Sequence, residues 1–192
     1  HRRQRQMCIR DRDWDPITNF RKDPLQSQAS FDEQLLAIRV NVDSINNFMD
    51  VTNTKFVKNN IIAGFPGGGK TFVMMYCILY ARAKGLNVIT VAMMCHRALQ
   101  LGGRHWHKLL GIPVDRGNNM SVWRMTKLAI KKLERYLYLI EYIKSIQLIA
   151  TDECGQTSAE MDDVIDNILK IVCGSNIHKA NKMIIATYDP TQ

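Results

Sequence analysis

The sequence predicts an α/β protein in which helices cover both faces of a parallel β-sheet. Short β-branched or apolar segments alternate with longer segments whose apolar residues recur at helical spacing, and such alternation is typical of parallel sheets. With 192 residues, 46% of them hydrophobic, the chain can bury a sizeable core. The longest apolar run, residues 72–81, is too short to span a bilayer. We therefore expect one globular domain without a membrane partner.

Apolar spacing and helix-ending residues give the individual elements. Strands are predicted over residues 60–63, 87–93, 146–151 and 182–187, and helices over residues 32–49, 70–84, 95–101, 121–144 and 158–173. Gly85 and Gly174 end two of these helices, because glycine readily takes the left-handed conformation found there. Thr157 and Glu160 are spaced as a capping box for the last helix. The helix over 121–144 depends on apolar residues three and four apart: Val122, Met125, Ala129, Leu133, Tyr136, Ile140 and Ile143.

The segment GFPGGGKT, residues 64–71, has the spacing G-x-x-x-x-G-K-T of a phosphate-binding loop. A strand precedes it and a helix follows, so the helix N-terminus points at the bound anion. Lys70 is predicted to reach the β- and γ-phosphates, and the Thr71 hydroxyl to ligate Mg²⁺. The alternative is a flexible Gly-Pro turn followed by a chance Lys-Thr. The predicted nucleotide contacts are Gly64, Phe65, Pro66, Gly67, Gly68, Gly69, Lys70, Thr71 and Phe72.

Two adjacent acids, Asp152 and Glu153, follow a predicted buried strand. Ligands of open parallel sheets bind at the carboxyl ends of the strands. Hydrolysis of a nucleotide requires one carboxylate for Mg²⁺ and a second group that orients the attacking water. We therefore predict that Asp152 holds the metal with Thr71 and that Glu153 acts on the water. Taken alone, the dipeptide is more typical of a solvated acidic turn, and the phosphate loop is what favours the catalytic interpretation.

Gln192 completes the predicted catalytic residues, with Lys70 and Glu153. It stands beyond the last predicted strand, in the segment TYDPTQ, where an amide can sense the γ-phosphate. No other metal site is predicted, because His105 and His107 lack further ligands at metal-binding spacing and the cysteines form no C-x-x-C pair.

The two ends of the chain give expectations about its boundaries. The first residues, HRRQRQMCIRDR, can be encoded by a DNA adapter used for sequencing libraries, so we interpret residues 1–12 as a translated cloning or assembly scar. The alternative is a natural basic arm that contacts nucleic acid. Five arginines and one aspartate in this segment supply half of the formal net charge of +8. Because the chain stops soon after a strand, we expect truncation within a larger protein.

The ordered motifs resemble those of the petite integration frequency (PIF) helicases and the related Helitron and RecD-like helicases of superfamily one. GFPGGGKTF is similar to their phosphate loop, TDECGQTSAEMDDVIDNIL to their Asp-Glu segment, and TYDPTQ to their GDPxQ element. FDEQ, residues 31–34, resembles an upstream element whose glutamine reads adenine, which implies that role for Gln34. The resemblance covers about residues 30 to 192.

The resemblance implies a P-loop NTPase of RecA-like fold, with residues 13–192 as a truncated first motor domain. ATP and Mg²⁺ are the implied cofactors, and single-stranded and forked duplex DNA the implied partners. It further implies 5′-to-3′ unwinding, roles in DNA repair, recombination and telomere maintenance, and an intracellular setting, in the nucleus or encoded by a mobile element or virus. Without a second motor domain, we expect this fragment to bind ATP but hydrolyse it poorly.

The segment GGRHWHKLLGIP contains the candidate DNA contacts. Single-strand binding needs basic groups and aromatic platforms, and Gly103, Arg104, Trp106 and His107 offer both. The alternative is that Trp106 and His107 pack this loop onto the domain. The sequence departs from the family pattern at Tyr188, Met94-Cys95 and His105. These departures affect the expected contacts with a DNA strand more than the ATP site. Two other functions stay open, a different P-loop ATPase such as a helicase loader, and a degenerate transposon-derived domain that only binds ATP or DNA.

Overall fold

A parallel β-sheet forms the centre of the fold. The computed structural model describes residues 16–50, 59–114 and 120–191. Within these ranges the strands are β1 (Asn59–Ala63), β2 (Val88–Ala92), β3 (Arg104–His105), β4 (Leu148–Asp152) and β5 (Met183–Tyr188). They lie in the order β1–β5–β4–β2–β3, and every neighbouring pair is parallel. The predicted parallel sheet is confirmed, with β3 as a short additional strand at one edge.

Helices connect the strands and cover the sheet. In the described residues they are α1 (Pro16–Asn19), α2 (Gln28–Met49), α3 (Lys70–Ala83), α4 (Cys95–Gln100), α5 (Trp106–Leu110), α6 (Val122–Leu133), α7 (Leu137–Ser145) and α8 (Ala159–Cys173). Two 3₁₀ helices, Cys154–Gln156 and His178–Asn181, follow β4 and α8. None of the helices in the described ranges has the length and apolar character needed to cross a membrane.

Two hydrophobic clusters lie on opposite faces of the sheet. Side chains alternate between faces along a strand, so Leu148 and Ala150 of β4 join one cluster and Ile149 joins the other. The first cluster packs α2 and α3 on the sheet, and the second packs α5 to α8. Helices therefore cover both faces, as the sequence predicts.

The single helix predicted over residues 121–144 is wrong, because the chain forms α6 and α7 instead. Tyr136 separates them with φ −132° and ψ 71°, and its side chain is 44% exposed rather than part of the buried stripe. A continuous helix of that length would extend about 36 Å, about twice the length of a five-residue strand. The break allows both helices to contact α8. The linking residues include neither glycine nor proline, so no local signal marks the break.

Helix starts differ from the prediction at two further places. Helix α2 begins at Gln28, where the Ser27 side chain accepts a hydrogen bond from the Ser30 backbone. The capping box of Thr157 and Glu160 is also wrong. Ser158 caps α8 by accepting from the Met161 backbone N–H at 3.2 Å, so the helix begins one residue later. The predicted end of α8 at Gly174 is confirmed, with φ 63°.

Candidate functional site

The carboxyl ends of β1, β4 and β5 meet at one edge of the sheet and form a cavity of about 410 Å³. The loop after β1 leads into α3, while Asp152 ends β4 and Asp189 follows β5. Because β5 lies between β1 and β4, the loop after β1 and Asp152 at the end of β4 face each other across one strand. The side chains of the cavity that carry chemistry are Lys70, Thr71, Arg97, Asp152, Glu153 and Asp189.

The loop between β1 and α3 takes a conformation that depends on glycine. Gly67 and Gly69 both have φ 77°, which L-residues other than glycine rarely adopt. A Cβ atom on Gly69 would also lie 2.5 Å from the Gln34 side chain. Gly69 is the N-cap of α3, so the first backbone N–H groups of this helix face the cavity side of the loop. Such N–H groups bind anions at helix N-termini.

Lys70 reaches back over the loop. Its Nζ donates to the carbonyl oxygens of Gly64 and Phe65 at 2.7 and 2.9 Å and lies 3.6 Å from Asp189 Oδ2. Hydrogen bonds from the Thr191 side chain and backbone lower the pKa of the Asp189 carboxyl, and Lys70 adds to this effect. The ammonium group thus already lies beside the concave surface of the loop, where phosphates bind in P-loop proteins.

Thr71 and Asp152 converge although 81 positions separate them in the sequence. Thr71 Oγ1 lies 3.2 Å from Asp152 Oδ1, and the Thr187 hydroxyl donates to the same carboxylate oxygen. Asp152 is only 2% exposed. A hydroxyl and a carboxylate are the hard oxygen donors that Mg²⁺ prefers. No group of three His, Cys, Asp or Glu side chains in the described ranges is arranged to hold a metal.

Glu153 has a left-handed backbone, with φ 52° and ψ 53°. Its N–H donates to Thr187 Oγ1 at 2.9 Å, so Thr187 links the two acids. Glu153 Oε2 accepts from Gln156 Nε2 at 2.7 Å, and Oε1 lies 3.1 Å from Arg97 Nη2. A non-glycine residue in this conformation is uncommon and is concentrated at functional sites.

Gln34 lies against the phosphate loop and lines a second cavity of about 240 Å³ on the other side of that loop from α4 and Glu153. Its Nε2 donates to the Gly68 carbonyl at 2.9 Å, and its Oε1 accepts from Gln26 at 2.9 Å. Phe72 is 51% exposed and makes an edge contact with the Tyr76 ring at 4.9 Å between centroids. Both residues lie beside the loop, and their contacts with a nucleotide stay a prediction. Gln192 is outside the described residues.

The candidate DNA contacts divide into core and surface residues. Trp106 is 5% exposed and packs in the second cluster, so the prediction that it is a base-stacking platform is corrected: this ring belongs to the core. A Cβ atom on Gly103 would lie 2.1 Å from the Thr90 carbonyl oxygen, so this glycine allows close packing on β2. Arg104 is exposed and lies 5.5 Å from the Tyr142 ring. His107 Nδ1 is 3.2 Å from the Ile112 carbonyl.

Sequence reasoning missed Arg97, Thr187 and Asp189 as members of the site. Thr187 and Asp189 flank the end of a predicted strand, and the rule that ligands bind at strand carboxyl ends would have found them. Arg97 lies in α4, directly after β2, and pairing of β2 with β4 brings it to Glu153. The strand order alone determines this contact.

Comparisons with known proteins agree with this geometry. The family described as PIF1-like helicase matches residues 39–191. A Pif1 helicase from Candida albicans is 18% identical, with a TM-score of 0.67 over 88% of this chain and 34% of that structure. A structure of two coordinating Pif1 helicases on forked double-stranded DNA is 20% identical, with a TM-score of 0.61 over 88% and 35%.

A third similar structure is a Bacteroides Pif1 helicase in complex with ADP-AlF3 and single-stranded DNA. It is 24% identical, with a TM-score of 0.56, and the match covers 79% of this chain and 32% of that one. The chain therefore spans about a third of the length of these solved helicases. Comparison with curated proteins finds no significant match.

Proposed function

The chain belongs to the PIF1-like helicase family, and on this basis we propose that residues 13–192 are the first RecA-like motor domain of an ATP-dependent DNA helicase. The observation that carries the proposal is the convergence of Thr71 and Asp152 at 3.2 Å beside the phosphate loop. This arrangement suits a magnesium-bound nucleoside triphosphate. We further propose that the complete protein translocates 5′ to 3′ on single-stranded DNA and unwinds forked duplexes.

Nucleotide binding uses the loop and the start of α3. The backbone N–H groups around Gly67 and Gly69 approach the phosphate oxygens, and Lys70 exchanges its carbonyl partners for the β- and γ-phosphates. Thr71 and Asp152 would hold Mg²⁺, and the ion would neutralise phosphate charge. Gln34 donates to the loop carbonyl of Gly68, and we propose that it contacts the nucleotide base.

Hydrolysis uses Glu153 and one water molecule. The water oxygen bonds to the terminal phosphorus, the bond from that phosphorus to the bridging oxygen breaks, and ADP leaves with the bridging oxygen. Glu153 orients the water and accepts its proton. We propose that Gln192 senses the γ-phosphate and transmits its presence to the rest of the motor domain.

DNA binding is proposed for the surface around Arg104 and His107. Arg104 is exposed and carries the positive charge that phosphates attract. Among the similar solved structures, two of Bacteroides Pif1 are bound to single-stranded DNA, and one concerns unwinding of forked double-stranded DNA by two coordinating Pif1 helicases. We propose the same DNA partners for this chain. We also propose a nuclear or mobile-element setting and roles in DNA repair, recombination and telomere maintenance.

ATP turnover with and without single-stranded DNA tests the function in the full-length protein. We expect single-stranded DNA to stimulate turnover strongly, and Lys70→Ala to remove both nucleotide binding and turnover. Lys84→Ala is the matched control, because Lys84 lies at the other end of α3 beside the Tyr80 ring. Turnover without any response to DNA would favour another P-loop ATPase, and nucleotide binding without turnover would favour a degenerate binding domain.

A further inference from the structure

Arg97 is a second cation in the cavity, and the proposed mechanism leaves it without a role. Its Nη2 lies 3.1 Å from Glu153 Oε1, and its side chain is 41% exposed against 16% for Glu153. Gln156 occupies the other carboxylate oxygen at 2.7 Å. Both oxygens of the carboxylate are therefore engaged by protein donors in this arrangement. A water that is to be activated by Glu153 needs one of these oxygens.

The charges around the cavity show what can release Glu153. Among the described residues that line it, Lys70 and Arg97 are the cations, and Asp152, Glu153 and Asp189 are the acids. A competing anion can take the Arg97 guanidinium from Glu153, and a terminal phosphate carries more charge than one carboxylate. The planar guanidinium also matches phosphate oxygens in geometry.

We propose that Arg97 is a phosphate-binding residue of this site. Arg97 pairs with Glu153 until a nucleoside triphosphate binds, and its guanidinium then pairs with the terminal phosphate instead. The inference rests on the proposed function and adds a recognition step to it. A triphosphate recruits Arg97 and frees an oxygen of Glu153 for water, whereas a diphosphate lacks the group that draws Arg97 away. The site thereby distinguishes the substrate from the product of hydrolysis.

Nucleotide affinity tests this role without any need for turnover. Fluorescent ADP and a fluorescent non-hydrolysable ATP analogue are titrated, with Mg²⁺, into the wild-type chain and its variants. Since a hydrogen bond between charged groups contributes about tenfold to a hundredfold in affinity, Arg97→Ala should weaken triphosphate binding by that factor and leave ADP binding unchanged. Arg97→Lys should restore part of the loss. Arg124→Ala, an exposed arginine on α6, controls for general charge.

A double-mutant cycle tests the exchange of partners. Glu153→Gln releases Arg97, so it should tighten triphosphate binding in the wild-type chain and have a smaller effect in the Arg97→Ala background. Additive effects of the two substitutions would overturn the exchange. Equal loss of ADP and triphosphate affinity in Arg97→Ala, or no loss, would overturn the contact with the terminal phosphate while the proposed function stands. Failure of the wild-type chain to bind either nucleotide would overturn both.

Discussion

At the scale of single residues, two neighbouring carboxylates have different surroundings and therefore different roles. Asp152 is buried at the end of β4 and lies against the hydroxyls of Thr71 and Thr187. Glu153 turns into the cavity through its left-handed backbone. Adjacent residues of an extended chain point in different directions, and the backbone of Glu153 leaves the extended conformation. We propose that Asp152 holds the metal and that Glu153 acts on the water.

Substitution of each acid by its amide should separate these roles in the full-length protein. Glu153→Gln should retain ATP binding and lose turnover by about a hundredfold to ten-thousandfold, the usual contribution of a general base. Asp152→Asn should instead weaken Mg²⁺-ATP binding, because it removes a charge from the metal site. ATP affinity and DNA-stimulated turnover are measured for both variants. Wild-type turnover by Glu153→Gln would show that the roles are assigned wrongly.

At the scale of elements, the segment from β3 to α5 holds one edge of the sheet against the second core cluster. Trp106 and Leu110 of α5 are buried there, and Gly103 lies tightly against β2. The loop that the sequence marks as a DNA contact is thus also a structural element. Only its outer side, which includes Arg104, is exposed.

Gly103→Ala should destabilise this edge. The added methyl carbon would lie 2.1 Å from the Thr90 carbonyl oxygen, and a backbone atom cannot move aside as a side chain does. Overpacking of this kind lowers the free energy of unfolding by about 1–3 kcal/mol. Urea denaturation measures the change. Gly64→Ala is the control, because its added methyl group meets only the Lys70 side chain, at 3.7 Å. Unchanged stability of Gly103→Ala would contradict the packing described for β2.

His107 should make this segment sensitive to acid. Burial lowers the pKa of its imidazole, an effect that the Ile112 carbonyl partly offsets and nearby His105 increases. Because the unfolded chain then binds a proton more readily than the folded chain, stability is lost as the pH falls below the ordinary histidine value of about 6.5. The melting temperature should therefore fall less on acidification in His107→Gln than in the wild type.

The matched control for this pH dependence is His96→Gln, which removes an exposed imidazole from α4. Thermal melts at neutral and mildly acidic pH are compared for the three proteins. If His107→Gln and the wild type lose stability to the same extent, the burial of His107 does not contribute to acid sensitivity.

At the scale of the whole molecule, both core clusters and the nucleotide cavity are built from residues in the described ranges, beginning at Phe20. The family match begins at residue 39. Residues 1–12 lie outside the described residues, and their interpretation as a scar stays a prediction. Our interpretation of this segment as a scar predicts that the fold and the cavity do not depend on the first twelve residues.

Deletion of residues 1–12 should accordingly leave the melting temperature and the ATP affinity unchanged. The deletion removes half of the formal net charge of +8, so any nonspecific attraction to DNA should weaken and become less sensitive to salt. Replacement of the segment by an uncharged linker of equal length is the control for length. A large fall in melting temperature on deletion would show that the segment is structural.

The sequence alone determined the features that depend on local spacing. The phosphate loop, the helix that follows it, the acids after β4 and the parallel sheet were all predicted, because glycine spacing and apolar periodicity act over a few residues. Tertiary structure decided the rest. The strand order places Arg97 against Glu153, the second core cluster takes in Trp106, and contact with α8 accompanies the break at Tyr136. Each of these outcomes depends on segments far apart in the sequence, whose packing no local pattern records.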